Sequence, residues 1–430
     1  MFFMNRLAAQ ASKHPWVANS GYLFAATVLG SAFGFIFWTA AARLNSPTQV
    51  GRSVSLIAAI SLIALLGDMG LSVVLVRHIS SHAAEKARFF NTLLSYLLVC
   101  TGGIVMIFAL FFWFAPNSLS VISTPAHLAV FAAVTLVFTA AQFYDRLFIA
   151  LQASHWVLNR GVLMHLTRLV VLVALAGRLG EMGMLLAAGV GALISLGASA
   201  WSFAPQALPG YRLKLAFDQH YLSGKVRYAL GSQVSQLAWG LPALALPLLV
   251  AGLLGAEANA RFYISWMVAN LLFIVPLAVS TAAFASAAAA RSRSSIGVLR
   301  RATRLTQLGL VLPALGFIFF SRSILSVFGE SYAEAAKLLV LFVVSVFPFT
   351  LNTFTVNAYR LAGQPWGLVW LPGSISALSL ALVAVCCWRY GLVGVGLGWL
   401  LGQSLGACLS WTRRIEPFNH EERQGLQLHS

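Results

Sequence analysis

Four ionisable side chains stand well inside hydrophobic stretches of this 430-residue chain: Asp68, Asp145, Arg146 and Arg168. Burying a charge in apolar surroundings costs at least about 2.5 kcal/mol, so each requires an opposite charge, hydrogen bonds or a wet cavity. Two readings stay open. In one, Asp68 pairs with Arg146 and Asp145 with Arg168, forming an ion-pair lattice between helices. In the other, the arginines offer planar, bidentate donors to an anionic ligand and the aspartates orient them. Neighbours on a helix point about 100° apart, so Asp145 and Arg146 cannot both face one partner. Arg360, at the end of another apolar stretch, either joins this field or snorkels toward water. His165 lies one turn from Arg168, where it either titrates or serves as a hydrogen-bonded structural group.

Other chemistry is poorly represented. The chain has no His-Glu-x-x-His, Gly-x-Ser-x-Gly or Gly-Lys-Ser/Thr phosphate loop and no paired-cysteine metal motif, so no enzyme, metal or cofactor is expected. Cys100, Cys386, Cys387 and Cys408 fall in or beside apolar stretches, where a thiol is a small packing group.

The elements that carry these residues are membrane spans. The chain is 59% hydrophobic and 9% charged, outside the balance of a soluble domain. Twelve stretches long enough to cross a bilayer are expected over 19–43, 53–77, 89–115, 128–151, 161–177, 184–204, 228–254, 262–290, 303–321, 337–362, 367–388 and 394–412. The short alternating segments of a β-barrel are absent, leaving an all-α integral membrane protein of about 12 transmembrane helices.

The second six stretches repeat the first six at an offset of about 206–210 residues. Ala150 to Trp156 falls on Arg360 to Trp366, Trp201 on Trp411, Arg52 on Arg261, and Leu119 to Val121 on Leu325 to Val327. An even number of spans per half gives both halves the same orientation, so two six-helix lobes related by a pseudo-twofold axis along the membrane normal are expected. The proposed organisation is a cytoplasmic segment 1–18, an N-lobe 19–204, a cytoplasmic linker 205–227, a C-lobe 228–412 and a cytoplasmic tail 413–430. Residues 1–16 show no cleavage site and read as an amphipathic segment along the inner surface.

A net charge of +17 does not imply nucleic acid, because the positions of the cations follow the positive-inside rule. Most of the 28 basic residues fall on one side, including Arg77, Lys86, Arg88, Arg212, Lys214, Lys225, Arg227, Arg300, Arg301 and Arg304. The other side holds Arg43, Arg52, Arg178, Arg261, Arg322, Lys337 and Arg389, placing both termini in the cytoplasm. Pro242, Pro247, Pro276, Pro313, Pro348 and Pro372 interrupt second-half spans, whereas first-half spans are expected to contain none. Proline removes a helix hydrogen bond, so helices 7–11 are the ones able to kink or hinge, unless the kinks are fixed shape. Gly394, Gly398, Gly402 and Gly406, and the small residues Gly183, Ala187, Gly191, Ser195 and Ser199, form ridges suited to close helix packing.

Three segments carry a family resemblance. Ala41–Gly51 (AARLNSPTQVG) is similar to a loop between the first spans, although Pro47, Thr48 and Gln49 replace its usual acidic pair. Leu65–Leu71 (LLGDMGL) with Arg77 and Ile79, and Val327–Leu339 (VFGESYAEAAKLL), are similar to two further signatures. Together they resemble the multidrug, oligosaccharidyl-lipid and polysaccharide exporter superfamily, and within it the bacterial polysaccharide or O-antigen flippases. The resemblance implies a V-shaped, two-lobed bundle in the bacterial inner membrane that moves a polyprenyl-pyrophosphate-linked oligosaccharide by alternating access. Its implied partners are this anionic lipid-linked glycan, membrane lipids, and a glycan polymerase or other synthesis machinery.

On that reading the candidate substrate-binding set is Arg146, Arg168, Arg360, Asp68 and Asp145. Tyr22, Gln233, Gln236, Asn270, Asn352 and Asn357 supply sugar-binding groups, and Tyr144 and Tyr359 supply stacking surfaces. The alternative is a cation-coupled multidrug exporter of the same fold. It needs intramembrane carboxylates, of which Asp68 and Asp145 are candidates. A non-transporting scaffold has no positive feature in the sequence.

Overall fold

The computed structural model describes residues 15–82, 85–114, 124–175, 179–290 and 295–412. The expectations for residues 1–14, for a continuation of span 5 over 176–178, for Arg291 and Arg293, and for the tail 413–430 lie outside these residues.

Among the described residues there is no strand, and eleven helical stretches are long and apolar enough to cross a membrane. The last of them, Gly367–Ser410, has 44 residues and would be about 66 Å long if straight, roughly twice the hydrocarbon thickness. Gly391 divides it, with φ 59° and ψ −140°, a backbone region that glycine enters without a Cβ penalty. The eleven stretches therefore provide twelve spans, the number expected from the sequence.

Local signals set several boundaries. Span 2 starts at Pro47, behind a capping box in which Ser46 accepts from the Gln49 amide and Gln49 accepts from the Ser46 amide. Thr124 caps span 4, Pro125–Ala150, by accepting from the His127 amide, again with proline in the first turn. Spans 1 and 5 begin earlier than expected, at Pro15 and His155. Span 6 runs through Ala207 by way of a π-helical turn at Ser199–Phe203. Pro205 therefore lies inside a first-half span, contrary to expectation, in the first turn of the helical segment Ala204–Ala207 that follows the π turn.

The chain forms two compact units, residues 1–237 and 238–430. The first is centred on Phe90, Leu93, Phe143, Tyr144, Leu147 and Phe148. Within it Gly191 lets span 6 approach span 5: a Cβ there would lie 2.7 Å from the Met164 carbonyl oxygen and 3.0 Å from Arg168 Cβ.

In the second unit the glycine ridge of span 12 lies against span 11. Added Cβ atoms at Gly398, Gly402 and Gly406 would stand 2.5 Å from Val383 Cα, 2.3 Å from Ser379 Oγ and 2.6 Å from Ile375 Cγ1. These partners recur every four residues, so two smooth helix faces meet along their length. The Val327–Leu339 signature has a structural explanation in this unit. Gly329 takes φ 137°, Tyr332 is buried, and Arg261 bridges Glu257 at 2.8 Å and Glu334 at 3.0 Å. Its repeat equivalent, Arg52, bonds Glu181 at 3.2 Å in the first unit.

Span 2 is not continuous. It runs as Pro47–Gly67 and resumes as Leu71–His78, with Met69 at φ 46° and Gly70 at φ 80° between them. The LLGDMGL signature is thus a helix break, where a single span over 53–77 was expected. The start of span 7 seals it. Gln233 accepts from the Gly70 amide at 3.0 Å and donates to the Leu65 carbonyl at 2.5 Å. A Cβ on Gly70 would lie 2.0 Å from the Ala229 carbonyl oxygen.

Gly70→Ala should therefore combine left-handed strain with a backbone clash and destabilise the protein by at least about 2 kcal/mol. Gly21→Ala, where an added Cβ meets nothing within 4 Å, should be neutral or slightly stabilising. Thermal unfolding of both variants in detergent checks the contrast.

Candidate functional site

Spans 4 and 5 form an antiparallel helical hairpin whose turn is Leu151 to Ser154. Gln152 adopts φ 55° there, and the Ala153 amide donates back to the Phe148 carbonyl at 2.8 Å. Asp145 stands five residues before the end of span 4 and Arg160 five residues after the start of span 5. At 1.5 Å per residue both lie about 7.5 Å from the turn, and they meet across the hairpin.

Arg160 Nε donates to Asp145 Oδ1 at 2.5 Å, and its Nη2 donates to Oδ2, the two-point arrangement of guanidinium and carboxylate. The pair is secluded, with side chains 6% and 19% exposed for Arg160 and Asp145. Arg160 stands one residue before the start expected for span 5 and was not among the candidate residues; its equal distance from the turn was the available signal. The expected Asp145 to Arg168 pair is corrected accordingly: Arg160 is nearer the turn and reaches Asp145 at its own depth.

Arg168 lies higher on span 5, half-buried, with its guanidinium carbon 3.7 Å from the centroid of the Phe37 ring on span 1. One turn away His165 stacks on Phe33, with ring centroids 5.8 Å apart and planes 12° apart. Gly30 lies beside this imidazole: a Cβ there would stand 3.5 Å from His165 Nε2, in ordinary van der Waals contact. Gly30, Phe33 and Phe37 thus form a strip on span 1 that receives His165 and Arg168 of span 5. A guanidinium lying on an aromatic face keeps its five donors in its own plane, directed sideways to an acceptor.

Arg146 follows Asp145 on span 4 but is exposed, and among the described residues it has no ion pair. The expected Asp68 to Arg146 pair does not form. Asp68 is 8% exposed at the break in span 2, where Oδ1 accepts from the Ser72 amide at 3.2 Å and from its hydroxyl. Gln236 Nε2 stands 3.4 Å from Asp68 Oδ2. The aspartate caps the resumed half-helix, a task that neutral donors fulfil.

Arg360 belongs to the second unit, is exposed, and donates to Asn357 Oδ1 at 3.3 Å. The proposed sugar-binding amides are largely committed to the fold. Gln233 and Gln236 seal span 2, Asn352 donates to the carbonyl and side-chain oxygens of Gln403 at 3.0 Å each, and Asn270 donates to the Trp266 carbonyl at 2.8 Å. Tyr144 is buried against Tyr211, with hydroxyls 2.6 Å apart, and Tyr359 is buried as well. Tyr22 is the exposed member of the set, at 42%.

What the hairpin can do follows from its charges. Spans 4 and 5 carry the arginines Arg146, Arg160 and Arg168 against the single acid Asp145. The bidentate pair neutralises one arginine, so the hairpin has positive charge beyond its internal needs.

Known proteins share this architecture. A sequence model of a family described as "Polysaccharide biosynthesis protein" matches residues 16–312. An inward-facing multidrug resistance MATE family transporter of the MOP superfamily is 14% identical, with a TM-score of 0.69 over 89% of this chain and 93% of its own. The lipid II flippase MurJ, in an inward closed conformation, is 13% identical, with a TM-score of 0.69 over 90% of this chain and 85% of its own. A MOP superfamily transporter from Pyrococcus furiosus, described as having a binding pocket of reverse polarity, is 15% identical, with a TM-score of 0.59 over 92% and 94% of the two chains. No match is found among curated proteins.

Breaking the hairpin pair should leave an uncompensated buried charge. Asp145→Ala or Arg160→Ala should each cost about 3–5 kcal/mol, while Asp145→Leu combined with Arg160→Met should recover most of the loss. Arg146→Gln, on the exposed side, should change stability by less than about 0.5 kcal/mol. Thermal unfolding of the four variants in detergent tests this ordering.

Proposed function

We propose that this chain, which belongs to the polysaccharide biosynthesis protein family within the MOP exporter superfamily, flips a lipid-linked anionic oligosaccharide across the bacterial inner membrane. The polyprenyl-pyrophosphate carrier supplies the negative charge, and alternating access carries the glycan outward without chemical change. Glycosyltransferases supply this substrate, and a polymerase or other assembly machinery consumes it. The observation that carries the reading is the charge balance of spans 4 and 5, three arginines against one acid that is itself committed to Arg160. Such a surface favours pyrophosphate oxygens and repels the lipophilic cations of a drug exporter. Arg168, held on Phe37, and exposed Arg146 are assigned to the pyrophosphate. Asp145 and Arg160 position the hairpin, and Asp68 belongs to the span 2 break.

In a strain lacking the gene, lipid-linked oligosaccharide should accumulate on the inner leaflet, and the wild-type protein should clear it. Arg168→Gln should reduce clearance on the order of tenfold or more at normal abundance, matching the loss of a charged hydrogen bond of about 1.5–3 kcal/mol. Arg168→Lys should recover only part, because it keeps the charge and loses the planar fork. Normal clearance by both variants would remove Arg168 from the site; unchanged lipid-linked oligosaccharide in the deletion strain would remove the function.

The orientation follows from the distribution of basic residues. Reporter fusions should place both termini and the 205–227 linker in the cytoplasm. A periplasmic signal from the linker would overturn this topology.

A further inference from the structure

The segment after span 6 is neither helix nor strand from Tyr211 to Asp218, yet it is fastened along span 3, Lys86–Phe114. Asn91 Nδ2 donates to the Arg212 carbonyl at 2.8 Å, and the Ala216 amide donates to Ser95 Oγ at 3.1 Å. Phe217 meets Tyr96 edge to face at 5.5 Å, and Arg88 pairs with Asp218 at 3.1 Å. Tyr211 anchors one end through the Tyr144 hydroxyl, and Tyr221 anchors the other by donating to Glu85. The Tyr221 hydroxyl stays protonated far into base: burial, reinforced by this bond, pushes its pKa up to about 12.

What the strap presents outward is unusual for a connection between helices. Leu213, Leu215 and Phe217 are 50%, 81% and 60% exposed, and the intervening Arg212 and Lys214 are exposed as well. Exposed apolar residues within a span face lipid as a matter of course; these lie outside every span. Their attachment points fix their depth. Asn91 to Tyr96 are about 7.5–15 Å along span 3 from Lys86, and the 29-residue helix, about 44 Å long, exceeds the hydrocarbon core by about 14 Å, or about 7 Å at each end when centred. The strap therefore lies level with the boundary between headgroups and acyl chains. Alternating apolar and basic side chains at that depth suit acyl chains below and phosphates above.

We propose that residues 211–217 form an interfacial strap that binds anionic phospholipid, with Leu213, Leu215 and Phe217 in the acyl region and Arg212 and Lys214 on headgroup phosphate. The proposal rests on the membrane location of the chain and is independent of the transported substrate. Charge complementarity and depth select anionic lipid as the occupant; a soluble partner protein would leave the apolar side chains in water before it bound.

The test uses the full-length protein released from mixed micelles containing equal phosphatidylglycerol and phosphatidylcholine, with retained lipids counted by native mass spectrometry. Wild type should retain phosphatidylglycerol preferentially. Each surface cation contributes about fivefold, so Arg212→Gln with Lys214→Gln should reduce that preference by about twenty-five-fold, leaving phosphatidylcholine unchanged. Arg322→Gln, far from the strap in sequence, should have no effect. Equal retention by wild type and the double variant would overturn the headgroup assignment. A second measurement covers insertion: a spin label at position 215, on a background whose four cysteines are replaced by serine, is read in phosphatidylglycerol vesicles. Greater accessibility to oxygen than to a water-soluble nickel chelate supports the proposal, and the reverse places the strap in water, where a soluble protein is the occupant, and sinks it.

Discussion

Hydrocarbon offers no water to a buried amide, carbonyl or charge, and the break in span 2 and the hairpin of spans 4 and 5 are built under that constraint. Span 2 shows it most directly. Two consecutive residues with positive φ stop the helix at Met69 and Gly70, exposing backbone groups that an unbroken span would pair internally. One glutamine meets the need from both ends, because its amide carries an acceptor for the Gly70 N–H and a donor for the Leu65 carbonyl. Asp68 then caps the resumed half-helix through Ser72. A break of this kind becomes possible only with a second helix at hand, and the start of span 7 comes so close that glycine alone fits at position 70.

The same constraint explains why the charged groups sort as they do. Asp145 and Arg160 are the most secluded pair, and they satisfy each other with two hydrogen bonds across a hairpin whose ends fix their register. The other two cations of this hairpin are placed differently. Arg146 is exposed, and Arg168 rests on the face of Phe37, which lowers the cost of its charge.

Much of the fold was legible in the sequence because length and hydropathy dominate membrane architecture. The spans expected from hydropathy are all present, although those expected from 53, 161, 262 and 303 start earlier, at Pro47, His155, Ala256 and Ser295, and glycine ridges appeared as the close contacts that small-residue spacing implies. Misplaced features all depended on what faces what. Hydropathy treats Gly67–Gly70 as a continuation of span 2, since one aspartate barely changes a window average. The Arg160 partner was hidden because span 5 was expected from residue 161, one residue beyond it, whereas the hairpin turn at Gln152 lets the helix start at His155. Gln233, Gln236 and Asn352 were read as ligand groups, although a buried amide is as useful for sealing a backbone as for holding a sugar, and composition cannot separate the two.

Those reassignments narrow the chemistry open to a transported molecule. With Gln233, Gln236 and Asn352 bonded within the fold and Asp68 serving as a cap, the charges on spans 4 and 5 outside the Asp145–Arg160 pair are cationic. A site of this composition discriminates by charge before it discriminates by sugar. Under the proposed function that ordering would suit a cargo with a constant pyrophosphate and a varying glycan, because phosphate recognition by arginine depends little on what the phosphate bears. Helix packing is set by glycines and backbone capping, so the charges lining a helix can change sign without disturbing the contacts that hold it in place.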